Sequence, residues 1–211
     1  MTASPTSRPQ ARGDATRAKI LDATLDLTAR HGPRGVTFRA VADHAGVARG
    51  VMTYHFPTHR QLLAAAYHHH LAQLRDQAIE LPIDSVLDAS TDDKTELVVA
   101  FLRHMAEVDR LRYLAEFELS LELARDPDLR REAEPASELT RAMAVDLLRH
   151  AGSTDPEADA TLWSAAMEGL LLGWLVRGDD PDYQRRVRAA VERMVVMFLP
   201  EPDQSGPDSK T

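Results

Sequence analysis

Residues 37 to 63 read TFRAVADHAGVARGVMTYHFPTHRQLL, and this stretch constrains the fold more than any other part of the chain. Phe38, Val41, Ala42 and Ala45 recur at helical spacing and the pattern stops at Gly46. Thr37 stands where an N-cap is needed and Gly46 where a left-handed C-cap is needed. After a tight turn a second short helix is predicted from about Ala48 to Tyr54, closed by Pro57. Two short helices joined by a glycine-containing turn have the form of a helix-turn-helix, whose second helix lies in the major groove of DNA. Thr58 and Gln61 then have the spacing of a capping box and open a long helix.

The residue types on the second short helix suit a duplex. Arg49, at its start, has the fork geometry to bind guanine O6 and N7, worth about 1–3 kcal/mol of discrimination; a phosphate clamp is the alternative. Gly50 inside a helix costs up to about 1 kcal/mol relative to Ala. Either close packing on a neighbouring helix or close approach to the DNA backbone accounts for it. Val51 and Thr53 carry methyls that match the thymine C5 methyl. Tyr54 and His55 suit phosphate contacts that fix register, with packing against the next helix as the alternative for Tyr54. Thr37 presents a helix N-terminus to a phosphate, and Arg39 is a second phosphate candidate. Phe56 is assigned to the core.

The rest of the chain reads as helix throughout, with no strand pattern and no repeat. About nine helices are expected. A first helix over about 15–29 ends at His31-Gly32-Pro33. The long helix from Thr58 runs to about Glu80, and residues 82–92 read as a loop. Further helices are predicted over about 93–108, 111–124, 128–150, 156–176 and 182–198. The expected organisation is a disordered tail over 1–13, a DNA-binding domain over 14–57, a larger helical domain over 58–200 and a disordered tail over 201–211.

Charge divides along the same line. The chain carries a net charge of −8, but residues 1–75 hold 10 Lys and Arg against 4 Asp and Glu, a balance of +6. The remaining residues hold 15 against 29, a balance of −14. A basic head is drawn to phosphates while an acidic body is not. There is no cysteine, which excludes disulfides, thiolate metal sites and cysteine nucleophiles. The N-terminal MTASPTSRPQARGD lacks an apolar signal segment, and the apolar stretch from Leu162 to Val176 is too short to span a bilayer. A cytoplasmic location and no membrane partner are expected. No nucleotide-binding glycine pattern, nucleophile elbow or chelating triad is found, so neither an enzyme nor a cofactor is expected. His68-His69-His70 is not read as a metal site, because consecutive helical side chains diverge by about 100°.

Segment 161–176, TLWSAAMEGLLLGWLV, is apolar nearly all round, so it is buried on more than one face. Val187, Val191, Met194 and Phe198 form a stripe on the last helix. Burial in the chain's own core is one solution. The preferred one is a four-helix seam between two copies, using Leu162, Ala166, Gly169, Leu170, Gly173 and Trp174 with that stripe. A two-fold dimer also presents two heads to successive major grooves of a pseudo-palindrome.

The segments ILDATLDLTARHG, TFRAVADHAGV and RGVMTYHF followed by P-T-x-x-x-L-L together resemble the N-terminal region of TetR-type transcriptional regulators. The resemblance covers about the first 63 residues; the body is similar only in helix count, order and its two closing helices. It implies a homodimer that binds operator DNA and releases it when a small molecule enters the body. There are departures. The family usually has Ser at Ala48, Lys or Pro at Arg49, Thr at Val51 and Tyr at Thr53. At His59 a Lys is common and would touch phosphate; a histidine there is a weaker, pH-dependent substitute. The ligand site implied by the resemblance lies in the body, with Tyr67, Leu71, Phe101, His104, Met105, Phe117, Leu121, Trp163 and Met167 as candidate contacts. Met and aromatic side chains suit an adaptable apolar pocket. The function expected is therefore a ligand-responsive DNA-binding regulator, most simply a repressor. A partner-controlled regulator or activator is the alternative, and an enzyme the remote one.

Overall fold

The computed structural model describes residues 8–79 and 83–201. All regular structure among them is helical: α1 (Arg8–His31), a 3-10 turn (Pro33–Gly35), α2 (Phe38–Ala45), α3 (Arg49–His55), α4 (His59–Ile79), α5 (Ile83–Leu87), α6 (Thr91–Glu107), α7 (Arg110–Arg125), α8 (Pro127–His150), α9 (Pro156–Arg177) and α10 (Pro181–Phe198).

Two expectations are corrected. α1 starts at Arg8, so residues 8–13 are helical and not an unstructured tail. Pro9 falls in the first turn, where its missing N–H leaves no hydrogen bond unmade. Residues 1–7, and the C-terminal tail beyond Glu201, lie outside the described residues. The second correction is α5, a further helix among the described residues. It occupies the stretch read as a loop, with Asp84 in its first turn, where a negative charge meets the helix dipole favourably. Ser90 then caps α6, its Oγ accepting from Asp93 N–H at 3.2 Å, which moves that helix start to Thr91.

The chain divides into two compact units. The first comprises residues up to Leu74 together with Leu111–Glu138, and the second comprises Arg75–Arg110 with residues from Leu139 on. In the first, Ile20, Leu21 and Leu25 of α1 join Val41, Met52, Phe56 and Leu62, with Leu119 of α7 and Leu129 of α8, in one buried cluster. The buried hydroxyls of Thr24 and Thr28 donate to the carbonyls of Ile20 and Thr24, both at 2.8 Å, so neither hydroxyl is stranded. α8 continues through Pro135, whose ring removes one N–H from the helix ladder. In the second unit α6, α9 and α10 pack together around Leu102, Trp174, Leu175, Val191 and Val195.

Candidate nucleic-acid interface

The helix-turn-helix is held by short-range chemistry. Thr37 Oγ1 accepts the Ala40 N–H at 3.1 Å and so fixes the start of α2. Gly46 ends it in the left-handed region, at φ 66° and ψ 35°, with its N–H returning to the Ala42 carbonyl. A side chain at that φ would be strained, which is why glycine occupies the turn. Ala48 precedes α3 without a side-chain cap, as expected for a residue lacking a hydroxyl.

Met52 and Phe56, four residues apart, put one face of α3 into the core. Arg49, Gly50, Thr53 and Tyr54 therefore face solvent. Tyr54 is 82% exposed and meets the His55 ring edge-on at 5.1 Å. That geometry removes the alternative of packing against α4. A Cβ built on Gly50 meets nothing within 4 Å, so internal packing does not account for the glycine. The Thr53 hydroxyl donates to the Gly50 carbonyl at 3.1 Å. Val51 is half-buried with its side chain on the core, so Thr53 is the methyl-bearing residue wholly at the surface. His55 is also half-buried.

Thr37 and Arg39 are exposed at the start of α2, and Arg39 lies 3.8 Å from Asp43. Such a solvated pair is weak and yields readily to a phosphate. His59 is exposed at the start of α4, on a groove of about 500 Å3 shared with Arg34, Thr58, Arg60 and Asp126. Arg60 pairs with Asp126 at 3.2 Å and with Asp128 at 3.5 Å. Asp126 also caps α8, accepting from the N–H groups of Asp128 and Leu129. The Leu129 hydrogen bond, the largest influence, outweighs the opposing effect of burial and, with lesser help from Arg60 and Asp128, holds its carboxyl below the ordinary 3.8.

The nine ligand candidates fall in both units. Tyr67 and Leu71 are buried in the first, Phe117 is half-buried there and Leu121 is exposed. In the second, Phe101 and His104 are exposed, and His104 lies 3.4 Å from Asp109. Met105, Trp163 and Met167 are half-buried, and Trp163 meets Phe198 edge-on at 6.0 Å. None of the nine lines the groove beside His59, nor a second groove of about 380 Å3 walled by Lys19, Asp22, Asp26, His44 and Arg112. The three consecutive histidines diverge as helical geometry requires. His69 lies 3.1 Å from Asp22, His70 lies 2.8 Å from Glu116, and His68 Nε2 is buried without a hydrogen-bond partner.

Part of the expected dimer seam is corrected. Val187, Val191, Met194, Phe198 and Trp174 are all buried within their own chain, because they face α6 and each other across the second unit. Gly173 is also committed internally: a Cβ there would overlap the Tyr183 hydroxyl, which donates to the Leu170 carbonyl at 3.0 Å. Ala166 and Leu170 are half-buried. Leu162 and Gly169 remain at the surface, and they belong to a stripe that the expectation did not assemble: Leu162, Ala165, Gly169, Leu172 and Val176, all exposed. Val196 and Met197 of α10 are exposed as well. The signal was present as spacings of three and four residues along α9.

A core-anchored short helix with a bare outward face, preceded by a capped helix and a glycine turn, defines a helix-turn-helix DNA-binding protein. Residues 20–66 match the family described as bacterial regulatory proteins, tetR family, and residues 89–197 match the tetracyclin repressor-like C-terminal domain. The chain belongs to the TetR family and is a transcriptional regulator, not an enzyme. It is 28% identical over 205 residues to the HTH-type transcriptional regulator CymR of Pseudomonas putida, covering 90% of this chain and 94% of that protein. Its fold superposes on the TetR-family structure SCO1917 of Streptomyces coelicolor with a TM-score of 0.67 at 30% identity, over 85% of this chain and 97% of the other. The multidrug binding protein EbrR, solved with ethidium, gives a TM-score of 0.64 at 27% identity over 85% and 98% of the two chains. No described helix is long and apolar enough to cross a membrane.

Proposed function

We propose that this regulator is a dimeric repressor that binds a pseudo-palindromic operator and is released by a small apolar or amphipathic effector. The observation that carries the DNA half is the outward face of α3. Arg49, Gly50, Thr53 and Tyr54 stand in solvent on a helix fixed from behind by Met52 and Phe56. Base reading falls to Arg49 and Thr53. Phosphate positioning falls to Thr37, Arg39, Tyr54, His55 and His59. The DNA-binding domain is placed at 14–57 and the ligand-binding and dimerisation domain at 58–200, with α7 and the start of α8 supporting the head.

The dimer is built on the exposed stripe of α9 together with the exposed Val196 and Met197 of α10. Gly169 has open space where a side chain would stand, which lets a partner helix approach closely. An effector is supported by the ethidium complex of EbrR. By linkage, effector and operator weaken each other's binding by the same factor. Selection of duplex sites from a random pool by the purified protein tests the reading. Recovery of an inverted repeat is expected, and failure to enrich any sequence overturns it. Release by no compound, with the operator still bound, favours the partner-controlled alternative.

A further inference from the structure

Arg17 on α1 is an exposed cation held against the recognition helix. Its guanidinium lies 5.4 Å from the centroid of the Phe56 ring. Phe56 is the C-cap of α3 and is almost fully buried, its N–H bonded to the Met52 carbonyl. The Phe56 ring is 6.1 Å from that of His55, and His55 is 5.1 Å from Tyr54. Four side chains thus form a continuous run from α1 to the outward face of α3. Arg39, Arg60 and Arg112 each have a carboxylate of their own unit within ion-pair distance. Arg17 lies within ion-pair distance of no carboxylate among the described residues.

A guanidinium stacked on a ring keeps its edge donors free and loses little side-chain freedom when it binds an oxyanion. The ring beneath it also ties it to Phe56, the C-cap of α3, next in sequence to His55. The geometry points to Arg17 as a phosphate-binding residue that extends the DNA contact surface from α3 onto α1. This inference rests on the reading of α3 as the recognition helix. Arg17 contributes affinity and orientation without reading sequence, because its partner is the DNA backbone.

The test is the salt dependence of operator binding by the full-length protein, measured between about 50 and 200 mM KCl. Arg17→Met keeps an aliphatic cover on Phe56 and removes the charge. The slope of log Kobs against log salt is expected to become shallower by about 0.9 for each copy bound. Affinity should fall by the same factor on the selected operator and on variants with single base changes. Arg17→Lys retains the charge and is expected to keep the wild-type slope. Arg17→Gln reports the same loss of charge if the Met variant fails to fold. Unchanged slopes for the Met or Gln variants, with the wild type still binding, overturn the role of Arg17 alone. A wild-type protein with no salt-sensitive duplex binding overturns the DNA reading itself.

Discussion

The buried Nζ of Lys94 donates to the main-chain carbonyl of Leu199 at 3.1 Å. A second bond runs to the Pro200 carbonyl at 3.2 Å, and Glu201 Oε1 accepts the Thr91 N–H at 2.7 Å. The end of α10 is thereby tied to the first turn of α6. A carbonyl left buried without a donor is costly, and hydrogen bonds to a charged group are stronger than neutral ones.

Lys94→Met should therefore lower stability by about 2–3 kcal/mol. Urea denaturation followed by circular dichroism reads this as a fall in midpoint at unchanged slope. A variant as stable as the wild type would show that desolvating the ammonium cancels what its bonds contribute.

Gly50→Ala separates stability from binding. Open space surrounds the site, so Ala should fit and strengthen α3 by up to about 1 kcal/mol. Operator affinity should drop, because the new methyl stands on the face offered to DNA. Thermal melting and fluorescence anisotropy on the same sample show both effects. A more stable protein with full affinity would detach Gly50 from the interface.

Tyr54→Phe leaves a ring that is already 82% exposed in the free protein. Folding stability should stay within about 0.5 kcal/mol of wild type. Loss of a hydroxyl bonded to a phosphate is worth about 1.5 kcal/mol, close to tenfold in affinity. Arg49→Ala should also weaken binding, but unevenly across base substitutions, as expected of a residue that reads a base edge.

Leu172→Glu and Val187→Ala distinguish the outward from the inward apolar faces of the body. The first puts a charge on the exposed α9 stripe and should convert dimer to monomer in sedimentation velocity. The second removes buried methyls and should cost about 2 kcal/mol of stability with the oligomeric state unchanged. The opposite pattern would restore the α10 stripe as the seam.

Asp126 sets an acid-side dependence. Its carboxyl is held below 3.8 chiefly by the Leu129 N–H and also by Arg60. A lowered folded-state pKa means that the stabilisation is present above the unfolded value and disappears as pH falls through the folded one. Asp126→Asn can still accept the backbone N–H groups but no longer titrates. The urea midpoint of the wild type should thus fall more steeply than that of the variant as pH drops below 3.8. Parallel curves would contradict the assignment.

Much of the head was legible because its determinants are local. Thr37, Gly46, Pro57 and Thr58 act within one turn of themselves, so their order along the chain carries the fold. The periodicity of α10 was legible too, but periodicity shows only which residues share a face. Val187 and Val191 look the same whether they meet α6 of their own chain or a second molecule. Gly50 was ambiguous for a related reason, since only its surroundings reveal whether a Cβ has room. α5 was missed because a five-residue helix has too few turns to display a period. Arg17 was overlooked because its partner, Phe56, lies far along the sequence and no spacing rule joins them.

Leu119 and Leu129 lie in the same buried cluster as Ile20, Val41 and Met52, although at least 67 positions separate the two groups along the chain. A gene fragment ending soon after Pro57 would encode the tip without its supporting wall. It would display raw apolar surface instead of a finished domain. Swapping operator preference between relatives by exchanging such a fragment should succeed only where the donor's short helices also match the recipient's α7 and α8.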